Sequence, residues 1–475
     1  MMTPIKETAD ADQPVMTFTG ERGFPRAITT VSGGQKIILL VLISGFIYCL
    51  WQDHYRTLLF LNAGAAVFYI TSMVYRSLLI DISLKKNRDI VISPSELAEM
   101  DKENAWARYI ILIPLYHEGD ILPHLVDALS KLDYPSDKLE IRLLIEEDDD
   151  ETMQVAHDLG LSAPFVILPV PVSYPRTKPK ACNYGLEDAD ADYLVIYDAE
   201  DRPDTDQLKK AAAAFRKVPK NVACIQAKLN FYNPYQNFLT KCFTAEYATW
   251  FDLCLPGLDF FHAPLPLGGT SNHFRLDILK SVGGWDEYNV TEDCDLGLRL
   301  FARGWRTSIL DSTTWEQACP HLGNWIRQRS RWIKGYIQTY CVHLRNPVKS
   351  AFGLGIFNGI HYHLVIGGTP LSQLINPIYW GLAVFWLITR SSSLSIYFPT
   401  PIFAMASVCL FVGNFLFAYT SSIACVRRGR GDLAIYGLVI PFYWILMSIG
   451  AWKGFLQLIR KPHFWEKTKH FKNSG

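Results

Sequence analysis

A doubly wound α/β domain set between two groups of membrane-spanning helices is the fold class this sequence predicts. Short apolar runs, notably 109–115 and 193–197, alternate with helical stripes through the middle of the chain. Two apolar stretches close to spanning length precede that middle, and several follow it. The averages hide these two populations: charged residues are only 19% and aromatics 13%, yet mean hydropathy is a modest +0.08.

The first 35 residues are polar and lack an apolar core with a small-residue cleavage site, so no removable leader is expected. Residues 36–51 and 57–80 then form a membrane hairpin joined by a short polar turn. Arg22, Arg26 and Lys36 precede it and Lys85, Lys86 and Arg88 follow, which puts both flanks on the cytoplasmic side.

Residues 90–320 form the α/β unit, with strands at 109–115, 139–145, 165–169 and 193–197. Helices are expected at 120–132, with Asp120 as N-cap, and at 205–217. An interfacial amphipathic stretch, 321–350, leads into the membrane helices of 351–460 and a basic tail, 461–475. Clear spans lie at 371–389, 401–425 and 433–459, and a weaker one at 352–368 carries His361 and His363. Four C-terminal spans are expected. They keep Arg460, Lys461, Lys467, Lys469 and Lys472 inside and place Arg427, Arg428 and Arg430 outside; three spans would do the reverse.

Lys+Arg and Asp+Glu are 46 each, which argues against a basic nucleic-acid binder. The ten cysteines show no C-x-x-C or zinc spacing and are expected as reduced thiols. With neither a G-x-G-x-x-G nor a G-x-x-x-x-G-K-[ST] motif, a phosphate must be held by a metal and cationic side chains.

The chemistry-bearing residues follow the strand ends, where open α/β sheets bind ligands. Tyr116 and Glu118 come after the first strand and suit a planar base and its ribose. The run 146–151 is six carboxylates. Most of it reads as a solvated loop or helix start, with one or two members able to accept from a nucleobase or ribose. Lys178 and Lys180 follow in a loop and either could face a diphosphate. Asp198 and Glu200, at i and i+2 beyond a buried strand, can chelate one hard divalent ion. Thr291, Glu292 and Asp293 start a helix, good capping chemistry that is compatible with a catalytic carboxylate. Gln328, Arg331 and Trp332 share one helix face, an arginine clamp beside an indole platform, while Arg327, Arg329 and Lys334 also suit a lipid-facing helix.

Taken in order, Asp198-Ala199-Glu200, Thr291-Glu292-Asp293 and Gln328-Arg329-Ser330-Arg331-Trp332 resemble the D-x-D, T-E-D and Q-x-x-R-W set of processive family-2 glycosyltransferases. These are the synthases of cellulose, hyaluronan and related bacterial polysaccharides, and the resemblance covers residues 108–345. It implies a GT-A domain on the cytoplasmic face of a bacterial-type inner membrane, a UDP-sugar donor with UDP-glucose first among candidates, Mg²⁺ or Mn²⁺, and inversion to a β-linkage.

Carried across, Asp198 and Glu200 hold metal and diphosphate, Asp293 is the general base with Glu292 beside it at the substrate, and Gln328, Arg331 and Trp332 hold the diphosphate and the acceptor-side opening. Lys180 looks like the lysine near the donor phosphates, Glu147 and Asp148 compete for the uracil carboxylate, and Tyr116 looks like the stacking aromatic. The sequence departs from the pattern in two places. Glu200 stands for the second Asp and is followed by Asp201, so the ligand set could be shifted by one residue. Residues 266–275 replace the cellulose synthases' acceptor segment, with Asn272 and His273 placed to bond sugar hydroxyls, so acceptor and linkage need not be those of cellulose. No cyclic-di-GMP-binding domain is expected after the last span.

The resemblance implies an enzyme that extends a β-glycan through its own helices, with envelope export partners. Adding one sugar to a lipid or short oligosaccharide is the alternative.

Overall fold

The computed structural model describes residues 24–464 except 87 and 391, so most of the two predicted tails lies outside the described residues. The strands are β1 (Tyr109–Leu115), β2 (Leu139–Glu146), β3 (Phe165–Val170), β4 (Tyr193–Ile196), β5 (Arg202–Pro203), β6 (Val222–Phe231), β7 (Asn272–Arg275) and β8 (Arg306–Glu316). They form one sheet in the order β3-β2-β1-β4-β7-β6-β8-β5.

All four predicted strands are present, and β3, β2, β1 and β4 pair in parallel. In β1, Ile111 and Ile113 enter one core while Ile110 and Leu112 enter the other, the period-2 alternation of a strand covered on both faces. The helices Leu122–Ser130 and Gln207–Lys217 pack on the first face, and Lys178–Leu186 and Leu276–Ser281 on the second. Asp120 is not the cap of its helix: Ile121 holds that position, with no side-chain cap bond.

The other half of the sheet departs from a purely parallel pattern. β7 lies antiparallel between β4 and β6, β6 runs parallel to β8, and β5 is antiparallel to β8. These strands escape an apolar-run search because they bury polar residues in pairs. Lys228 of β6, buried, donates to Asp89 at 2.7 Å and Asp311 at 2.9 Å. The expectation for Asn272 and His273 fails for the same reason: both are buried in β7. His273 Nδ1 meets the Tyr109 hydroxyl at 2.6 Å, and the Asn272 amide donates to the Gly268 carbonyl at 2.5 Å. Burial pushes the His273 imidazole down to about 3, so it is a neutral core group.

Among the described residues, five helices are long and apolar enough to cross a membrane: Gly33–Gln52, His54–Lys85, Leu354–Thr389, Thr400–Arg427 and Ile440–Arg460. Three are C-terminal rather than the expected four. The weak 352–368 stretch runs through the turn His363–Gly367 into Gly368–Thr389, with one break in helical geometry at Gly355 (φ 70°, ψ 169°). The N-terminal hairpin turns at Asp53, whose carboxylate accepts from Arg56 N–H at 2.9 Å. Its second helix has 32 residues, about 48 Å at 1.5 Å per residue, and outruns a hydrocarbon core of about 30 Å. The surplus reaches the catalytic unit, where Leu79 and Ile80 are buried.

The helix Leu322–His343 is not a peripheral lipid-contacting element. It packs along Ile440–Arg460, with Arg329 and Lys334 buried. Part of the N-terminal tail also docks on the α/β unit: Arg26 pairs with Glu287 at 2.9 Å, and Ala27 N–H donates to Asp286 at 2.5 Å.

The helix Glu292–Ala302 crosses the 265–267 segment at Gly297, where a Cβ would lie 2.2 Å from the Leu265 carbonyl oxygen. Gly297→Ala should therefore cost about 1–3 kcal/mol by overpacking and reduce activity by shifting the carboxylates at the head of that helix. Gly323→Ala, with open space around its Cβ, should leave the thermal midpoint unchanged. Equal midpoints for the two variants in a thermal melt would refute this contact.

Candidate active site

The sheet order places β1 between β2 and β4, so the chain leaves β1 toward one side and returns from β3 on the other. The crevice at such a switch point opens at the carboxyl ends of β1 and β4. A cavity of about 1520 Å³ begins there and continues between the long apolar helices.

Tyr116 and Glu118, just past β1, both line it. Their turn is pinned from below: His117 N–H donates to Asp149 at 2.5 Å and Glu118 N–H to the Thr152 hydroxyl at 3.1 Å. His117 sits at φ 56°, which turns the chain sharply after the strand. The six-carboxylate run divides by role. Asp149, buried, caps the helix Asp150–Asp158, and Glu146, buried, holds Lys180 at 2.6 Å. Asp148 holds Arg176 at 2.5 Å, and Arg176 lines the cavity beside Tyr116. Glu147 and Asp148 are exposed and outside the cavity lining.

Lys180 is likewise away from the cavity, held by Glu146 and the Pro171 carbonyl. Lys178 takes the place expected of it. It contacts Asp198, donates to the Gly269 carbonyl at 2.7 Å and lines the cavity. Burial works against its charge, but Asp198 and Glu292 outweigh burial and raise its pKa.

Asp198 and Glu200 line the cavity after β4, and Asp201 does not. Asp201 is buried under the turn, accepting from Asp198 N–H at 2.7 Å and from the Thr270 hydroxyl. Burial first, then Asp198 and Glu200, push its carboxyl well above the usual range. Glu316, at the end of β8, lines the same wall, pushed up by burial and then by Asp201, Glu200 and Asp198. Among the described residues no three His, Cys, Asp or Glu side chains converge into a ready-made metal cage. The donor set nevertheless fits a hard divalent ion that takes one or two carboxylates and completes its shell with water and phosphate oxygens. The crowding that raises Asp201 and Glu316 is also the repulsion such a cation relieves.

On the far wall Glu292 and Asp293 open the helix Glu292–Ala302. Thr291 occupies the cap position without a side-chain cap bond. Burial, then the charge of Asp293, push Glu292 up to about 8. Asp293 is also raised by burial, opposed by the Cys294 N–H at 2.7 Å, Lys178 and Arg331. The two carboxyls titrate as an interacting pair, each step belonging to the pair rather than to one residue.

Gln328, Arg331 and Trp332 line the cavity from one face of their helix, as their spacing predicts. Trp332 stacks on Tyr247 at 6.3 Å with a 29° interplanar angle. Arg329, one position off that face, is buried and bonds Glu246 through two nitrogens at 2.9 and 2.5 Å. Sequence reasoning missed Glu316, Glu246, Arg176 and Tyr247. Glu316 ends a strand the apolar-run criterion does not find, and the others belong to no local pattern.

Residues 193–446, more than half of the chain, match the family described as glycosyl transferase family group 2. A Bacillus subtilis protein named Probable glycosyltransferase YdaM is 25% identical over 228 residues, 47% of this chain and 54% of that protein. Glucomannan 4-beta-mannosyltransferase 7 of Arabidopsis thaliana is 24% identical over 285 residues, 57% of this chain and 50% of its own length. A cellulose synthase catalytic subunit [UDP-forming] of Komagataeibacter sucrofermentans is 28% identical over 258 residues, 52% of this chain and 33% of its own. The matches thus span about half or less of these relatives' lengths. In fold, the chain is similar to the mannosyltransferase PcManGT of Pyrobaculum calidifontis, solved with GDP-Man and Mn²⁺. The TM-score is 0.51 at 16% identity, over 82% of this chain and 99% of that one. With a GT-A-like sheet and a family match across more than half its residues, this chain belongs to the family-2 glycosyltransferases.

Proposed function

We propose that this enzyme is a membrane-embedded inverting hexosyltransferase of a bacterial-type inner membrane. Its donor is a UDP-sugar, UDP-glucose first, and it extends a β-glycan that leaves through its own helices toward export partners in the envelope. The observation that carries this is the continuity of one cavity, lined by Asp198, Glu200, Asp293 and Arg331 at one end and by Tyr69 and Tyr379 of two apolar helices at the other. Ile37, Phe60, Phe411 and Ile459 on these helices are exposed by more than half, apolar surface that suits a bilayer. Lys85 and Lys86 at the foot of the hairpin support a cytoplasmic position for the catalytic unit.

In this reading Tyr116 stacks on the nucleobase, Glu118 and the Arg176–Asp148 pair meet uracil or ribose, and Lys178 and Arg331 face the diphosphate. Asp198 and Glu200 would hold Mg²⁺ or Mn²⁺, which when bound supplies Lewis-acid neutralisation of the leaving diphosphate. Asp293 accepts the proton of the acceptor hydroxyl as its oxygen bonds to the anomeric carbon. The bond from that carbon to UDP breaks on the opposite face, and UDP departs. Gln328 and Trp332 position the acceptor, with Glu292 contacting it in its protonated form. Transfer of one sugar to a lipid or short oligosaccharide is the second reading, favoured by the aromatic walls of the membrane end of the cavity. Labelled UDP-sugars and GDP-mannose, supplied to membranes with Mn²⁺ followed by product sizing, test donor and processivity together. A product of one added sugar would retire the synthase reading.

Glu200→Ala should abolish turnover and weaken UDP binding far more with Mn²⁺ than without it. Asp201→Ala should instead lower the thermal midpoint along with activity, since Asp201 braces the turn. Full activity in EDTA would end the metal assignment.

Asp293→Asn should lose about 10²–10⁴ in turnover while UDP affinity in calorimetry stays near wild type. Turnover within a few-fold of wild type would remove Asp293 from the mechanism.

Because burial raises Asp293, activity should fall as pH drops through a value above the ordinary aspartate pKa of about 3.9. Arg331→Gln removes a cation that favours the ionised form, so the acid limb of its residual rate should move to higher pH. An unmoved limb would separate Arg331 from the base.

A further inference from the structure

The membrane end of the cavity holds one charge that nothing above uses. Arg76 lies on His54–Lys85, twenty residues and about 30 Å beyond Arg56, which opens the apolar part of that helix. That separation matches the hydrocarbon thickness of a bilayer, so with Arg56 at one interface Arg76 sits at the other, the depth of lipid phosphates. Its guanidinium donates to the Thr369 hydroxyl at 3.1 Å and lies over the Phe417 ring, 5.7 Å from the centroid. Among the described residues no carboxylate pairs with it. A guanidinium lining a cavity at headgroup depth without a carboxylate partner is placed to meet an anionic lipid group.

Its neighbours complete a site. Ser72 lies one turn before Arg76, and Gln373 one turn after Thr369, so the Arg76–Thr369 bond brings two polar i,i+4 pairs face to face. Ser72 Oγ and Gln373 Oε1 are buried without a hydrogen-bond partner, and all four residues line the cavity. The Gln373 amide can turn its nitrogen inward, giving four donors around one point. Tyr336 links this point to the chemistry. Burial raises its phenol, Asp293 adds to that and Arg76 opposes it, so the ring is within electrostatic reach of both groups.

We propose that Ser72, Arg76, Thr369 and Gln373 bind the phosphate of a lipid acceptor whose headgroup hydroxyl reaches Asp293. The uncompensated positive charge favours an anion over a neutral glycan, and the aromatic cavity beyond it accommodates an acyl or prenyl chain. This rests on the second reading above, transfer of one sugar to a lipid, and it specifies the class of that lipid.

The test uses the full chain in a polyoxyethylene detergent, with thermal midpoints read against didecanoyl phosphatidic acid, didecanoylglycerol, inorganic phosphate and cellotetraose. Phosphatidic acid should raise the wild-type midpoint, and Arg76→Gln should require at least ten-fold more of it for the same shift. Didecanoylglycerol should not distinguish the two proteins, and inorganic phosphate should act only at far higher concentration. Calorimetric UDP affinity with Mn²⁺ should be equal in both. An unchanged response in Arg76→Gln overturns the proposal, as does inorganic phosphate matching the lipid (a soluble-anion site) or an Arg76-dependent shift with cellotetraose alone (a glycan path). Should Arg76→Gln lose UDP binding, the double variant Ser72→Ala/Gln373→Leu decides: a weakened lipid response with UDP binding kept supports the site, and an unweakened one overturns it. A chain that binds phosphatidic acid through Arg76 yet transfers no sugar would sink the donor reading and leave the lipid site standing.

Discussion

The placement of the reaction centre depends on a buried arginine. Arg329 joins three elements: it bonds Glu246 on the helix Phe238–Thr249 and the Tyr443 hydroxyl at 3.1 Å on Ile440–Arg460, and lies against the rings of Phe243 and Trp332 on the way. A buried charge stripped of its partner costs several kcal/mol, so this knot holds only as a whole. Gln328 and Trp332 flank Arg329, and Arg331 follows it. Locking one residue of the turn fixes the rotation of the helix and aims the other three into the cavity. The sequence motif is thus half cavity surface and half fastening, and the fastening is tied to the long apolar helix Ile440–Arg460.

The second constraint is charge. Asp198, Glu200 and Glu316 gather on one wall and Glu292 with Asp293 on the other, with Lys178 and Arg331 as cations between them. Burial first, and then that imbalance, raise Glu316 and Glu292 out of the ordinary carboxylate range. A site crowded by like charges gains most from a divalent ion. On the far wall the Cys294 N–H, at 2.7 Å, favours the ionised form of Asp293 against the burial that opposes it.

Much of this was legible from residue order. The strands β1, β2 and β4 announce themselves as apolar runs, since both faces of each are covered, and the half-exposed edge strand β3 is still apolar enough to read. The motifs carrying Asp198, Asp293 and Arg331 fall on the cavity because strand ends and helix starts are where a wound sheet exposes side chains. What could not be read was built from distant partners. Lys228 is buried in β6 because Asp89 and Asp311 meet it there, and no local pattern records such a pairing. Between Lys178 and Lys180 the sequence offered no choice; the helix beginning at Lys178 turns one toward Asp198 and the other toward Glu146. The acidic run divides in a similar way: buried Asp149 holds the backbone of the His117 turn and buried Glu146 holds Lys180, pairings that no local pattern records.

The second helix of the N-terminal hairpin packs Tyr75, Leu79 and Ile80 against the α/β unit and approaches it most closely at one glycine. At Gly257 a Cβ would lie 2.4 Å from the Leu79 carbonyl oxygen, and Leu79 itself is buried. A side chain at Gly257 would collide with that carbonyl, so the close approach of the two backbones depends on this glycine and limits rocking of the α/β unit against the helix. Whatever opens to admit an acceptor or release a product must hinge elsewhere, and the break at Gly355, at the start of the long C-terminal helix, is the place where the backbone already bends.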